Sequence, residues 1–220
     1  TEGFVLDVVR EVNYIFRHVS TPLPMIESRL ENLRELGRFA GLLKIDDFSD
    51  FFRRSGFRIF SNVRGGLGIA EVLAHPLCHS YRDSVLLPGA EAMHFLEFNK
   101  RAQLVPMMYH GRAMNSGGAL EPIKDPENFG PICDYQVPRA LRFLKVITYS
   151  PDLARRVDSG ILIEKESPEE IEIRAIGCAR AMCLLLDRIN KLRRKSGTKQ
   201  ITHAELDSAM WRLGRHLPKE

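Results

Sequence analysis

Residues 167–194, SPEEIEIRAIGCARAMCLLLDRINKLRR, decide the fold class. Ser167 suits a helix N-cap, proline suits the first helical position, and Glu170 follows the serine by three residues, as in a capping box. Apolar side chains then recur at helical spacing, and we expect these to be buried: Ile171, Ala175, Cys178, Met182, and Leu185 or Leu186. The stretch predicts a long helix that ends near Arg194.

Helical patterns extend from this stretch in both directions. They predict helices over 4–18, 25–43, 48–54, 69–73 and 91–108, with Glu35 on the outer face of the second and Pro106 kinking or ending the last. Three further helices are predicted: one from the Asp134 turn through Leu144, one starting at Tyr149-Ser-Pro-Asp152, and one starting at the capping box Thr202-His-Ala-Glu205. Residues 84–89 fit a loop or short strand, and 115–130 a loop. The sequence therefore predicts an all-α, compact helical domain over residues 1–220.

Composition limits the classes of function. The 220 residues are 44% hydrophobic and 27% charged, which is enough for one well-buried domain. A net charge of +4 permits an anionic ligand but is too small to indicate nucleic acid. The four cysteines form no C-x-x-C pair, which disfavours disulfides and zinc. With neither a signal peptide nor an apolar membrane span in the sequence, we expect a cytoplasmic protein without a membrane partner.

Asp134-Tyr135-Gln136-Val137-Pro138 carries the strongest candidate for chemistry. The aspartate stands one turn or less before a basic amphipathic helix, and Pro138 suits the first turn of that helix. A carboxylate there can cap free backbone N–H groups or turn an oxygen toward a pocket. Fixed in this way, it suits stabilising a developing cation or orienting an attacking water. An ordinary N-cap gives the same pattern, so both readings stay open.

Other motifs are weaker. Arg64-Gly-Gly-Leu-Gly68 lacks the residues of a phosphate loop and fits a glycine-rich turn packed on a helix. The histidines show no metal-ligand spacing. Cys133 is either a thiol nucleophile or a small buried residue beneath the Asp134 turn. Lys100 and Arg101 differ by about 100° around a helix, so we expect one in a cleft and the other at the surface.

Several segments together resemble one family. They are Met25-Ile-Glu-Ser-Arg29, Ser80-Tyr-Arg-Asp83, Phe98-Asn-Lys-Arg-Ala-Gln103, Asp134-Tyr-Gln-Val-Pro138, Tyr149-Ser150 and Glu170-Ile-Glu-Ile-Arg174. In order and approximate spacing they resemble the queuosine salvage proteins, which hydrolyse queuosine 5′-phosphate and release the base queuine. That family is similar in fold to the helix-hairpin-helix DNA glycosylases, which are all-α and carry an essential aspartate at a helix N-terminus.

The resemblance implies roles for four residues. Asp134 matches the family's aspartate and would be the catalytic group, while Tyr135 would line the pocket. Lys100 would face the phosphate or ribose, and Arg174 would pair with Glu170 or complete the anion-binding side. The implied ligands are queuosine 5′-phosphate and queuine. We expect no cofactor, no metal and no stable nucleic-acid complex, and the sequence does not give the oligomeric state.

Two departures from the family accompany the resemblance. Many members have arginine where this chain has Gln136, and Arg139 or Arg142 is the candidate to compensate. Members also usually carry a further segment before the point matching Thr1, including an aromatic-rich stretch expected to clamp the base. The chain is therefore either a fragment or a short homologue with an incomplete pocket. A helix-hairpin-helix DNA glycosylase and a non-catalytic module that binds nucleoside or queuine are the alternative functions.

Overall fold

The computed structural model describes residues 12, 14, 23–61, 67–86 and 95–218. The described chain is mostly helical, as predicted. Its helices are α1 Ile26–Leu42, α2 Phe48–Arg54, α3 Ile69–Leu73, α4 Lys100–Met114, α5 Gln136–Phe143, α6 Pro151–Asp158, α7 Pro168–Arg174, α8 Ala181–Lys195 and α9 His203–His216, and Pro126–Asn128 forms a 3₁₀ turn. Strands β1 (Ser84–Leu86) and β2 (Phe95–Glu97) pair antiparallel, with Val85 opposite Leu96.

The long C-terminal helix forms as the sequence predicted. Helix α7 continues through a π-helical stretch, Ala175–Arg180, into α8, so the whole segment reaches Lys195. The Ser167 hydroxyl caps it by accepting a hydrogen bond of 3.2 Å from the Glu170 N–H. The buried face comprises Ile171, Cys178, Met182 and Leu186, and Ala175 and Leu185 pack beside it. π-Helical turns are often found at functional sites, and this one lies beside the cavity described below.

The predicted helix over 91–108 is wrong at both ends. Phe95–Glu97 is strand β2, and the helix begins only at Lys100. Asn99, in the left-handed region at φ 45°, separates the two elements, and asparagine tolerates that conformation better than most residues. Pro106 does not end the helix, which continues to Met114 with the proline buried. Apolar spacing alone did not distinguish a strand followed by a helix from one helix.

The outer-face assignment of Glu35 is also wrong. Its side chain is 8% exposed, and Oε2 accepts hydrogen bonds from the Ser80 N–H, at 2.9 Å, and from the Ser80 hydroxyl. Helical periodicity placed Glu35 among charged neighbours, but loop 78–83 folds over that part of α1 and covers it. The loop is thereby fixed to α1.

Two groups of buried apolar side chains form most of the described core. The first joins α1 to α4 and contains Phe39, Phe51, Phe52, Ile59, Ile69, Ala70, Leu73, Cys78, Ala102, Ile123 and Phe129. The second joins β1, α5, α7, α8 and α9 and contains Val85, Phe98, Cys133, Val137, Leu141, Ile171, Cys178, Ala181, Met182, Leu186 and Leu206. The single-domain organisation over 1–220 stays a prediction.

Close approach between α5 and α9 fixes the start of α5. A Cβ added at Gly214 would lie 2.2 Å from the Gln136 carbonyl oxygen, so only glycine fits at this crossing. Arg139 donates hydrogen bonds to the carbonyls of Gly214, at 3.1 Å, and Leu217, at 3.3 Å. Helix α9 therefore holds the N-terminal turn of α5, which directly follows Asp134.

Part of the predicted pattern lies outside the described residues. The helix predicted over 4–18 is described only at Val12 and Tyr14. Residues 62–66, in the predicted glycine-rich turn, and residues 87–90, in the predicted loop or short strand, also lie outside the described residues. Gly68 is described and precedes α3, where a Cβ would lie 2.2 Å from the Ile59 carbonyl oxygen. A glycine is therefore needed where the predicted turn meets this helix.

Candidate active site

A cavity of about 930 Å³ opens between the two groups of core residues. Loop 78–83, the start of α4, the Asp134 turn with α5, α6 and the α7–π segment form its walls. Basic side chains outnumber acidic ones in the lining: Arg82, Lys100, Arg101, Arg139, Arg142, Lys165 and Arg174, against Asp83 and Glu170. An anionic ligand suits such a wall.

The Asp134 carboxylate makes two fixed contacts. Oδ1 accepts a hydrogen bond of 3.0 Å from the Gln136 N–H, and Oδ2 lies 2.5 Å from the Lys100 Nζ. The Asp134 side chain is 14% exposed and that of Lys100 is 29% exposed. Lys100 lines the cavity, as do Cys133 and Tyr135 on either side of Asp134, so the Lys100–Asp134 pair lies at the cavity wall.

Arg174 forms the centre of a second charged cluster. Its guanidinium forms a bidentate ion pair with Asp83, with Nη1 3.1 Å from Oδ1. The guanidinium also lies 3.5 Å from the Glu170 carboxylate and stacks 3.9 Å from the centre of the Phe98 ring. Burial works against its charge, but the hydrogen bond and charge of Asp83 outweigh burial and raise the pKa of Arg174. The cluster locks α7 to loop 78–83, and both Glu170 and Arg174 line the cavity.

The expected split between Lys100 and Arg101 is wrong. Both side chains line the cavity, Lys100 half-buried at the first position of α4 and Arg101 exposed. Lys100 bonds Asp134, and Arg101 donates a hydrogen bond of 2.9 Å to the Ser80 carbonyl.

Tyr135 and Cys133 flank Asp134 and also line the cavity. Tyr135 is 75% exposed, so its ring stands at the edge of the cavity, free to contact a ligand. Cys133 is 7% exposed and has the left-handed φ of 54°, which is costly for a residue with a Cβ. The turn that presents Asp134 is therefore strained and has to be held by its surroundings.

Sequence reasoning missed two carboxylates near these groups. Asp83 stood within a quoted motif without a role, and no sequence spacing linked it to Arg174, 91 residues away. Asp207 was not considered, yet it is 6% exposed on α9 and accepts a hydrogen bond from the Ile132 N–H. The sequence pattern could have indicated this burial, because Asp207 lies on the same helix face as Met210 and Gly214, at spacing i, i+3, i+7. A charged residue is unusual on such a face.

Arg82 differs from the other cavity cations. Within the described chain its guanidinium makes no hydrogen bond or ion pair, whereas Lys100, Arg142 and Arg174 each face a carboxylate. A guanidinium with unused donors in a cavity wall is suited to hold an oxyanion.

Two kinds of feature are not found in the described part of the chain. No group of three His, Cys, Asp or Glu side chains there is placed to hold a metal ion. None of the helices described combines the length and apolar character needed to cross a membrane.

Comparison with known proteins identifies the family. The model of the queuosine salvage protein family matches residues 5–220. The chain belongs to the queuosine salvage protein family. The match includes every cavity residue named above, so the Lys100–Asp134 pair and the basic wall are features of a family member.

Curated members of the family with a similar sequence carry one name, queuosine 5′-phosphate N-glycosylase/hydrolase. The Sphaerobacter thermophilus protein is 27% identical over 203 residues, 89% of this chain and 54% of its own length. The Dictyostelium discoideum protein is 27% identical over 87% of this chain and 54% of its own, and the Bos taurus protein 27% over 93% and 57%. The chain thus spans little more than half the length of these relatives.

Proposed function

We propose that this chain is an N-glycosidase that hydrolyses queuosine 5′-phosphate to queuine and ribose 5-phosphate. The observation that carries the proposal is the Asp134 carboxylate, held at 2.5 Å by Lys100 in the wall of a basic cavity. Support comes from membership of a family whose relatives are named for this activity. The chain is about half their length, so the activity is a proposal for this chain.

The chemistry that this carboxylate supports follows from the reaction. When the bond between ribose C1′ and the base nitrogen breaks, its electron pair leaves with the base and positive charge builds on the ribose. A fixed carboxylate beside C1′ stabilises that charge. Water then forms the new C1′–O bond and Asp134 accepts one of its protons, which passes through solvent to the departed base and restores the carboxylate. Water is the co-reactant, and the atoms balance.

We assign Lys100 the task of holding Asp134. Its ammonium forms a charge-assisted hydrogen bond to Oδ2 and thus holds the carboxylate in one orientation. The Gln136 N–H fixes the other oxygen. Lys100 lines the cavity, so its remaining donors face the ribose. The resemblance implied only that Lys100 faces the phosphate or ribose, and its bond to Asp134 adds a second role.

The phosphate is assigned to Arg82 and Arg101. Both line the cavity, and neither is neutralised by a carboxylate among the described residues, since Arg101 bonds only a backbone carbonyl. Arg174 is already paired with Asp83 and Glu170, so its proposed part is to shape the anion-binding side. Tyr135, exposed at the cavity edge, is assigned to the base by stacking. The cytoplasmic location expected from cysteine usage is kept as a proposal.

The test is to incubate the chain with queuosine 5′-phosphate and follow free queuine by chromatography. We expect release by the wild type and a fall in kcat of the order of 100- to 1000-fold in Asp134→Asn, because the lost charge acts mainly in the transition state. Affinity for the substrate, measured by calorimetry, should change little.

Asp152→Asn is the matched control, since Asp152 is a 75% exposed aspartate in the first turn of α6 and should leave the rate unchanged. Release by Asp134→Asn at the wild-type rate would refute the role of Asp134. Binding without release by the wild type would instead favour a non-catalytic module.

A further inference from the structure

Asp207 is a buried acid without a basic partner. It lies on α9 beside the buried Leu206 and is 6% exposed. No Lys, Arg or His in the described ranges lies within the 4.0 Å of a salt bridge to its carboxylate. Removing a carboxyl group from water is costly unless it gains hydrogen bonds or a charge in return. The position therefore calls for a reason beyond packing.

The reason is found in the turn before α5. Asp207 Oδ1 accepts a hydrogen bond of 3.1 Å from the N–H of Ile132, two residues before Asp134. Between them stands Cys133 in its strained left-handed conformation. At the other end of the segment, Gln103 Oε1 accepts 3.1 Å from the Gly130 N–H. The segment 130–132, which leads into Asp134, is thus held at both ends by buried side chains from α4 and α9.

Charge links Asp207 to the same site. Burial and the nearby charge of Asp134, opposed by the Ile132 N–H and Lys100, together raise the pKa of Asp207 to about 6. The groups that face it are Asp134 from the turn, Lys100 from α4 and the Cys178 thiol from the π-helical stretch. The positive charge of Lys100 therefore acts on both Asp207 and Asp134.

We propose that Asp207 is a positioning residue for the glycosidase reaction, which orients Asp134 toward Lys100 and the cavity by holding the Ile132 N–H. The inference rests on the proposed function for its effect on rate, but the hydrogen bond itself can be tested without activity. Asp207 does not contact substrate in this assignment. It acts through the backbone that carries Asp134.

Three variants separate the hydrogen bond from the charge. Asp207→Asn keeps a hydrogen-bond acceptor for the Ile132 N–H, and Asp207→Ala removes it. Asp207→Leu also removes the acceptor but fills the space, so it replaces the alanine variant if that variant does not fold. Amide exchange of Ile132, followed by NMR, should remain slow in the wild type and in the asparagine variant and become fast in the other two. Asp152→Ala is the surface control.

With queuosine 5′-phosphate as substrate, we expect kcat to fall about 10- to 100-fold in the alanine and leucine variants, because Asp134 is misplaced. The change in KM should be smaller. Asp207→Asn should stay within a few-fold of wild type, because its amide oxygen still accepts a hydrogen bond from the Ile132 N–H.

Slow Ile132 exchange in the alanine or leucine variant would overturn the proposal, as would an asparagine variant as impaired as these. A wild type that releases no queuine would refute the proposed function. The Ile132 amide would still decide the role of Asp207 in that case.

Discussion

At the scale of single residues, the two carboxylate oxygens of Asp134 have separate partners. One oxygen accepts a hydrogen bond from the N–H of Gln136, the first residue of α5, and the other is held by Lys100. A carboxylate has two oxygens, so one side chain can both bond the backbone at a helix start and face a second group. Both contacts fix the orientation of the carboxylate, which is the preorganisation that electrostatic catalysis needs.

The raised pKa of Asp207 predicts how stability depends on pH. Its folded pKa of about 6 lies above the ordinary value of 3.8, so between these values the folded state keeps a proton that the unfolded state has released. The free energy of unfolding should therefore fall as pH rises from about 4 to 6, by at most about 3 kcal/mol from this group.

Urea unfolding of wild type and Asp207→Asn at several pH values measures this dependence. The asparagine variant lacks the titrating group, so its stability relative to wild type should increase across the window and then level off. A constant difference between the two proteins from pH 4 to 7 would contradict the prediction.

At the scale of elements, the crossing of α5 and α9 determines where Asp134 stands. Gly214 lets the two helices approach, Arg139 ties α5 to the end of α9, and Asp207 ties α9 to the preceding turn. All three contacts join α9 to α5 or to the turn before it. The active turn is therefore held by a helix that contributes no side chain to the cavity lining.

Gly214→Ala tests the crossing. Its Cβ would meet the Gln136 carbonyl at 2.2 Å, and backbone atoms cannot give way cheaply, so we expect a loss of about 1–3 kcal/mol in the free energy of unfolding and a lower kcat. Gly111→Ala in α4 is the matched control, since a Cβ there meets nothing within 4 Å.

In that control the helix should gain about 0.5–1 kcal/mol, because alanine favours helix over glycine. Thermal unfolding of both variants gives the measurement. Equal effects of the two substitutions would show that α5 and α9 do not approach closely.

At the scale of the whole molecule, the distribution of charge matters more than its sum. The net charge is only +4, but seven basic and two acidic side chains line the cavity. Acidic residues elsewhere offset the total, so composition did not reveal the basic wall. A cavity with this field should distinguish a phosphorylated ligand from a neutral one.

Arg82→Ala tests this distinction. Loss of one charge-assisted contact to phosphate should raise KM for queuosine 5′-phosphate about 10- to 100-fold. KM for queuosine, which has no phosphate, should change little. Arg188→Ala on α8 is the control, because Arg188 is exposed and does not line the cavity. An equal rise in KM for both substrates would contradict the assignment of Arg82.

The sequence by itself determined the helical class, the caps at Ser167 and Thr202 and the turn before α5, because these depend on residues a few positions apart. It also pointed to Asp134, through local chemistry and family resemblance. Only the tertiary structure decided that Lys100 bonds Asp134, that Asp83 pairs with Arg174 and that Asp207 holds Ile132. These partners are 34, 91 and 75 residues apart, and their meeting depends on how the helices cross. Periodicity fixes the face of a helix, but the elements packed against that face fix its partners.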